Sequence, residues 1–261
     1  LNILGVYIKM TKHLIIPDTQ VKYGLDFSYL RRIGQYIIDK KPDVVVHLGD
    51  FADMESLSSY DIGKKSFEGK RYIKDIESAK EAMQCLMSPL YDFNNKAKKN
   101  KEKQYKPRLV LCLGNHEQRI QRAVENDPKL EGLIKYEDLP YHDWEVHSFL
   151  KPVFIDGIAY CHYFPTGVMG RPSTTATSMV SKLHMSCIAG HQQGKQVAYG
   201  KRPDGSTITC IIAGSCYEHN ETYLDHQSNN HFRGILLAHR VNNGCFDECF
   251  VSLDYLKERY D

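Results

Sequence analysis

Four polar motifs, each placed directly after an apolar run, constrain this chain more than any other feature. They are Asp18-Thr19-Gln20, Gly49-Asp50-Phe51-Ala52-Asp53, Gly114-Asn115-His116-Glu117 and Gly190-His191-Gln192-Gln193. Leu14-Ile15-Ile16, Val44-Val45-Val46-His47-Leu48, Leu109-Val110-Leu111-Cys112-Leu113 and Cys187-Ile188-Ala189 precede them and read as strands. Taken singly, Gly-Asp and Gly-Asn are ordinary turn signals. In an open α/β sheet, however, ligands gather outside the carboxyl ends of the strands, so four such motifs converge on one rim.

The donors on that rim are carboxylate, amide and imidazole, and no motif contains a thiolate. Borderline divalent metals accept that mixture. A phosphoester is anionic and reacts slowly with water. Two cations roughly 3.5–4 Å apart can clamp its attacking and leaving oxygens and acidify water. Asp50, at the tip of a central strand, is the natural bridging carboxylate.

In order and content these motifs resemble the calcineurin-like metallophosphoesterase superfamily, and the Asp-Thr-Gln form is similar to that of phage-encoded members. The resemblance covers nearly the whole chain. It implies an α/β fold, a four-layer αββα sandwich of two mixed sheets flanked by helices. It also implies a cofactor of two divalent metal ions, manganese foremost, with magnesium, iron, zinc or nickel as alternatives. By position, Asp18, Gln20, Asp50 and Gln193 would hold the first ion, and Asp50, Asn115, His162 and His191 the second. His162 follows the apolar run Ile158-Ala159-Tyr160-Cys161, where the family places a lone histidine. His116 matches the family's catalytic histidine facing the leaving group, and Asp53 the carboxylate that supports it. Such a carboxylate orients the ring and raises its pKa. Gln20 and Gln193 depart from the histidines usual in the family. An amide oxygen is harder than an imidazole nitrogen, so the first site is expected to be weaker and to favour manganese or magnesium over zinc.

Arg119 is a candidate phosphate clamp, because a guanidinium grips two phosphate oxygens at once; the alternative is a solvated residue in a helix's first turn, with Arg122 extending a basic face. His219, His226 and His231 lie in a polar loop, 215–233, that could overhang the site. His13, His47, His142, His147, His184 and His239 sit in or beside apolar runs and read as packed or surface residues. The net charge of +2 gives no global argument for a nucleic-acid partner. Cys112, Cys161, Cys187 and Cys210 are embedded in strand-like runs and read as reduced core residues, which implies a cytoplasmic compartment, the host cytoplasm if the chain is phage-encoded. No transmembrane stretch is present, so no membrane association is expected. Residues 1–10 read as a leader or disordered N-terminus, with Met10 a candidate start.

Residues 11–261 read as one metallophosphoesterase domain with insertions near 54–107 and 126–151. Phe27, Leu30, Ile33, Ile37 and Ile38 form one helical stripe, and Ile73, Ile76, Met83, Met87 and Leu90 a second. The later chain reads as hairpins over 154–162, 196–212 and 235–253, turning at Asp156-Gly157, Pro203-Asp204-Gly205 and Asn242-Asn243-Gly244. The run 94–106 is expected to be a basic loop. The segment 126–151, with Tyr136, Tyr141, Trp144 and Phe149, is either a partial cap or core packing. The expected activity is hydrolysis of a phosphodiester, in DNA, RNA or a small nucleotide, by metal-bound hydroxide with His116 at the leaving group. Alternatives are a phosphomonoesterase or a non-catalytic scaffold. Met54 stands where the Ser/Thr protein phosphatase branch has arginine.

Overall fold

The computed structural model describes residues 10–220 and 231–261, so the expectation of a leader and the role of His226 fall outside the described residues. In chain order, β1 (Thr11–Ile16), α1 (Ser28–Lys40), β2 (Val44–His47), α2 (Tyr72–Lys99), β3 (Arg108–Cys112), α3 (Gln118–Asn126) and β4 (Glu145–His147) form an alternating first half. Then come β5 (Val153–Ile155), β6 (Ile158–Cys161), α4 (Ala176–Leu183), β7 (Ser186–Ala189), β8 (Lys195–Lys201), β9 (Thr207–Ala213), β10 (Gly234–Asn242), β11 (Cys245–Ser252) and α5 (Leu253–Tyr260). One sheet has the order β11-β10-β1-β2-β3-β4 and the other β5-β6-β7-β9-β8. β1 to β4 run parallel, as do β6, β7 and β9, while β10, β11, β5 and β8 pair antiparallel.

The period of two along each strand explains the layering. Leu14, Ile16, Val45 and Leu111 face the helices α1 and α2, whereas Ile15, Val44, Val46 and Val110 face the second sheet. From that sheet Ile158, Tyr160, Ile188 and Ile211 point inward, and Ala159, Cys161, Cys187 and Cys210 point outward beneath Met179 of α4. Strands buried on both faces must be apolar at every position, which is why the runs looked continuous. The outcome is an α/β fold of two mixed sheets between helices.

All three hairpins form where the turn residues placed them. Two details differ from the sequence reading. The basic run begins inside a helix, because α2 continues to Lys99 and the last turn carries Lys96, Lys98 and Lys99, which suit the negative end of the helix dipole. Ile73 is exposed rather than part of the core stripe. Of the two readings of 126–151, core packing is the one seen for Tyr141 and Trp144, which are buried, and β4 extends the first sheet beside β3. All eight cysteines are free. Among the described residues no helix is long and apolar enough to cross a membrane.

Candidate metal centre

The carboxyl ends of β1, β2, β3, β6 and β7 share one rim because these strands are parallel within their sheets. The loops after β1 and β2 are bonded to each other: Thr19 and Gln20 N–H donate to the Asp50 carbonyl at 3.2 and 2.8 Å, and Asp53 N–H to the Val21 carbonyl at 3.0 Å. Across the sheets, Cys216 N–H donates to the Asp18 carbonyl at 2.7 Å. This bracing holds unusual backbone. Gln20, Asp50, Met54, His191 and Gln193 all have positive φ, between 44° and 66°. Left-handed backbone costs roughly 1–2 kcal/mol per non-glycine residue and persists only where surroundings impose it. Two glycines give the carboxylates room: a Cβ on Gly114 would lie 2.1 Å from Asp50 Oδ1, and one on Gly190 would lie 2.3 Å from Asp18 Oδ1.

His162 fixes the polarity of the centre. Its Nδ1 is 2.9 Å from the Leu48 carbonyl, which can only accept, so that nitrogen carries a proton. Nε2 then faces two oxygens, Asn115 Oδ1 at 2.9 Å and Asp50 Oδ2 at 3.3 Å. With Nε2 unprotonated, three lone pairs would meet there, and either a proton on Nε2 or a cation between them relieves the clash. Burial depresses the imidazolium, but Asp50 and the other carboxylates outweigh it and raise the His162 pKa to about 9. His191 completes a group with Asp50 and His162 whose donor atoms all lie within 4.8 Å of one another. Its own pKa falls to about 4 through burial and the neighbouring His162 charge, which keeps the ring neutral and able to ligate.

The second half of the donor set also lacks counter-charge. Asp18 is fully buried and accepts from His191 N–H at 3.0 and 3.1 Å. Burial pushes its carboxyl up to about 7, with His162 opposing the shift and Asp50 adding to it. Gln20 Oε1 is buried and has no hydrogen-bond partner among the described residues. Gln193 Oε1 accepts from the Tyr217 hydroxyl at 2.9 Å. An orphaned amide oxygen beside under-compensated carboxylates fits a divalent cation by charge and by donor type. Asp50, His162 and His191 are the group whose donor atoms converge; Gln20, Asn115 and Gln193 line the same cleft, and Asp18 adjoins it through the His191 N–H.

His116 flanks these donors. Its backbone N–H donates to Asp50 Oδ1 at 2.9 Å, and Nε2 lies 3.7 Å from Asp50 Oδ2. Nδ1 approaches Asp53 Oδ1 to 2.8 Å, a close ionic contact without linear hydrogen-bond alignment. Burial works against charge on the ring, yet Asp50 and then Asp53 raise its pKa. Burial likewise opposes the Asp53 anion, but His116, Lys22 and Arg119 hold that carboxyl down at about 2. Arg119 Nη1 donates to the Asp53 carbonyl at 2.7 Å and lies 3.2 Å from Asp53 Oδ1. The guanidinium is therefore tied to Asp53 while still lining the cleft, whose volume is about 800 Å³. His219 and His231 line the cleft too. Of the six histidines read as packed or surface, His13 and His47 are fully buried.

One important group had no assigned role in the sequence reading. The buried Glu117 carboxylate accepts from the backbone N–H of Gly114 at 2.8 Å, Asp50 at 3.0 Å and Ala52 at 3.1 Å, and from the Tyr141 hydroxyl at 3.1 Å. It clasps the β2 and β3 loops together. Its place in Gly-Asn-His-Glu was visible, but nothing local revealed donors from a loop more than sixty residues away. Tyr217, on Gln193, had no sequence signal beyond following β9.

The sequence profile described as calcineurin-like phosphoesterase matches residues 12–241. The chain belongs to the calcineurin-like phosphoesterase family. Its curated relatives include the Gene 54 proteins of Mycobacterium phages D29 and L5, 33% and 34% identical over 84 residues, which is 32% of this chain and 32% of each relative. The match thus spans about a third of the length of those proteins. Solved structures similar to this calcineurin-like chain include a conserved Streptococcus pneumoniae protein described as a predicted phosphoesterase, with TM-score 0.38 and 10% identity over 95% of this chain and 92% of that one. Another is Yfce, a phosphoesterase from E. coli, with TM-score 0.37 and 12% identity over 93% and 99% of the two chains. At those scores they carry no weight for the site.

Proposed function

We propose that this family member is a divalent-metal-dependent phosphodiesterase acting on nucleic acid or a small nucleotide, with a two-ion centre in which manganese is the favoured metal. The observation that carries the reading is the meeting of His162 Nε2, Asp50 Oδ2 and Asn115 Oδ1 beside a buried, under-compensated Asp18. When bound, divalent cations supply neutralisation of phosphate charge and a more acidic water. The protein's own residues supply position and protons. Asp50, Asn115, His162 and His191 would hold one ion, and Asp18, Gln20, Asp50 and Gln193 the other. His116, whose pKa Asp50 and Asp53 raise, would offer its Nε2 proton to the departing oxygen. Asp53 holds the ring, and Arg119 holds Asp53. A positioned acid of this kind contributes roughly 10²–10⁴ in rate.

The test compares hydrolysis of a chromogenic phosphodiester and a phosphomonoester, with manganese, by the parent and by His116→Ala. Faster diester turnover that drops by roughly 10²–10⁴ in the variant is expected. Absence of turnover with every divalent metal, or turnover indifferent to His116, would sink the assignment. Preference for the monoester would move the substrate class.

A further inference from the structure

The segment between Met54 and Arg71 contributes part of the cleft lining and has chemistry that hydrolysis alone does not require. Tyr60 lines the cleft with 80% of its surface exposed and has no ring or hydrogen-bond partner among the described residues. Lys64 and Lys70 line the same cleft, paired with Asp61 at 3.2 Å and with Glu55 respectively. Tyr23, 60% exposed, stands nearby with Lys74 4.3 Å from its ring centroid. An ammonium has three donors, and an exposed ion pair such as Lys64–Asp61 is worth little, so a phosphate competes readily for that lysine. A single small phosphate needs neither a second cationic position nor an aromatic face.

We propose that this segment is a binding rim for single-stranded nucleic acid, in which a base beside the scissile phosphate stacks on Tyr60 and a flanking phosphate pairs with Lys64. The inference rests on the phosphodiesterase reading and names its substrate class. A nucleotide's base and phosphate are matched by a ring and a cation that line the same cleft. A duplex hides its base faces and gives Tyr60 nothing to stack on, and a phosphopeptide lacks the repeat of charge. Stacking on an aromatic ring is worth roughly 1–3 kcal/mol per base and tolerates any sequence.

The experiment measures binding of a labelled, phosphorothioate-linked oligothymidylate by fluorescence anisotropy, with a duplex of equal length and a phosphopeptide as competitors. Turnover of the small chromogenic diester is followed in parallel. Tyr60→Ala should weaken oligothymidylate binding by roughly 5- to 150-fold, and Lys64→Ala should reduce the salt slope of log K by about 0.7. Both variants should keep the parent's manganese affinity within about twofold, since neither residue is among the metal donors. Tyr60 is exposed, so its replacement leaves folding intact. Oligothymidylate binding that is equal in parent and variants, or a preference for duplex or phosphopeptide, overturns the rim. Tyr60-dependent binding by a parent without diester turnover would leave the rim standing and remove the phosphodiesterase reading.

Discussion

Replacing Glu117 with glutamine tests whether the clasp between the β2 and β3 loops holds the centre together. The carboxylate accepts four hydrogen bonds, two on each oxygen. Glutamine keeps one oxygen and turns the other into a donor. If its NH2 replaced Oε2, it would face both Asp50 N–H and Gly114 N–H. If it replaced Oε1, the Tyr141 hydroxyl could rotate to accept, and only Ala52 N–H would be stranded. That second orientation costs least: about 1–3 kcal/mol for a buried unpaired N–H, plus the loss of charge on the bonds that remain. Against this stands relief from a buried anion, since burial and then Asp50 raise the Glu117 pKa. A net loss of about 2 kcal/mol follows, which for a chain of this size lowers Tm by about 4–8 °C. Tyr141→Phe removes one bond and should cost about 1 kcal/mol. Because the bond that remains to Asp50 N–H loses its charge assistance, Glu117→Gln should also weaken manganese binding, by roughly tenfold. Urea unfolding and calorimetric titration of metal read both effects. Unchanged stability and affinity in Glu117→Gln, or a larger loss from Tyr141→Phe, would refute the reasoning.

The remaining predictions concern other parts of the rim. Gln20→His should tighten metal binding and shift selectivity toward zinc, because imidazole replaces a buried amide oxygen; identical affinities for manganese and zinc before and after would count against Gln20 as a donor. Gly190→Ala places a carbon 2.3 Å from Asp18 Oδ1 and must displace that carboxylate, so metal affinity should fall by at least tenfold, and a titration matching the parent would contradict the cradle. His47 is buried and neutral, with burial lowering its pKa to about 3. Since the folded pKa is depressed, the stability this contributes is full above pH 6.5 and is lost as pH falls toward 3, up to about 5 kcal/mol. His47→Gln should flatten the stability profile in that window, and an unchanged acid slope would exclude His47 as its source.

Much of the site was legible because each donor follows a strand directly. Asp18, Asp50, Asn115 and His191 sit in motifs that follow strands, His162 was read from the family resemblance, and the strands that all five follow run parallel within their sheets. The helices α1 and α2 and the hairpins were legible from local period and turn residues. What escaped depends on partners distant in sequence. Glu117 and Tyr141 meet across the β2 and β3 loops, Tyr217 reaches Gln193 across the second sheet, and the Asp53 carbonyl draws Arg119 inward. The segment 126–151 was ambiguous because its aromatics suit a cap or a core equally; β4, only three residues long, decides it by pairing with β3.

The donors of the centre are divided between the two sheets: Asp18, Asp50 and Asn115 follow strands of the first, and His162 and His191 follow strands of the second. A sandwich held by apolar contacts alone should be breached by water at its loop-bearing rim. An ion held by Asp50 and His162 together would tie the layers across that seam, making this rim the last place where they part. Unzipping would then start from the opposite pole, where the Gly244 N–H to Asp156 carbonyl bond and the Asp156 side chain's contacts with Thr11 and His13 join the layers without an ion. The catalytic end would thus lock the sandwich in a way that no side chain does alone.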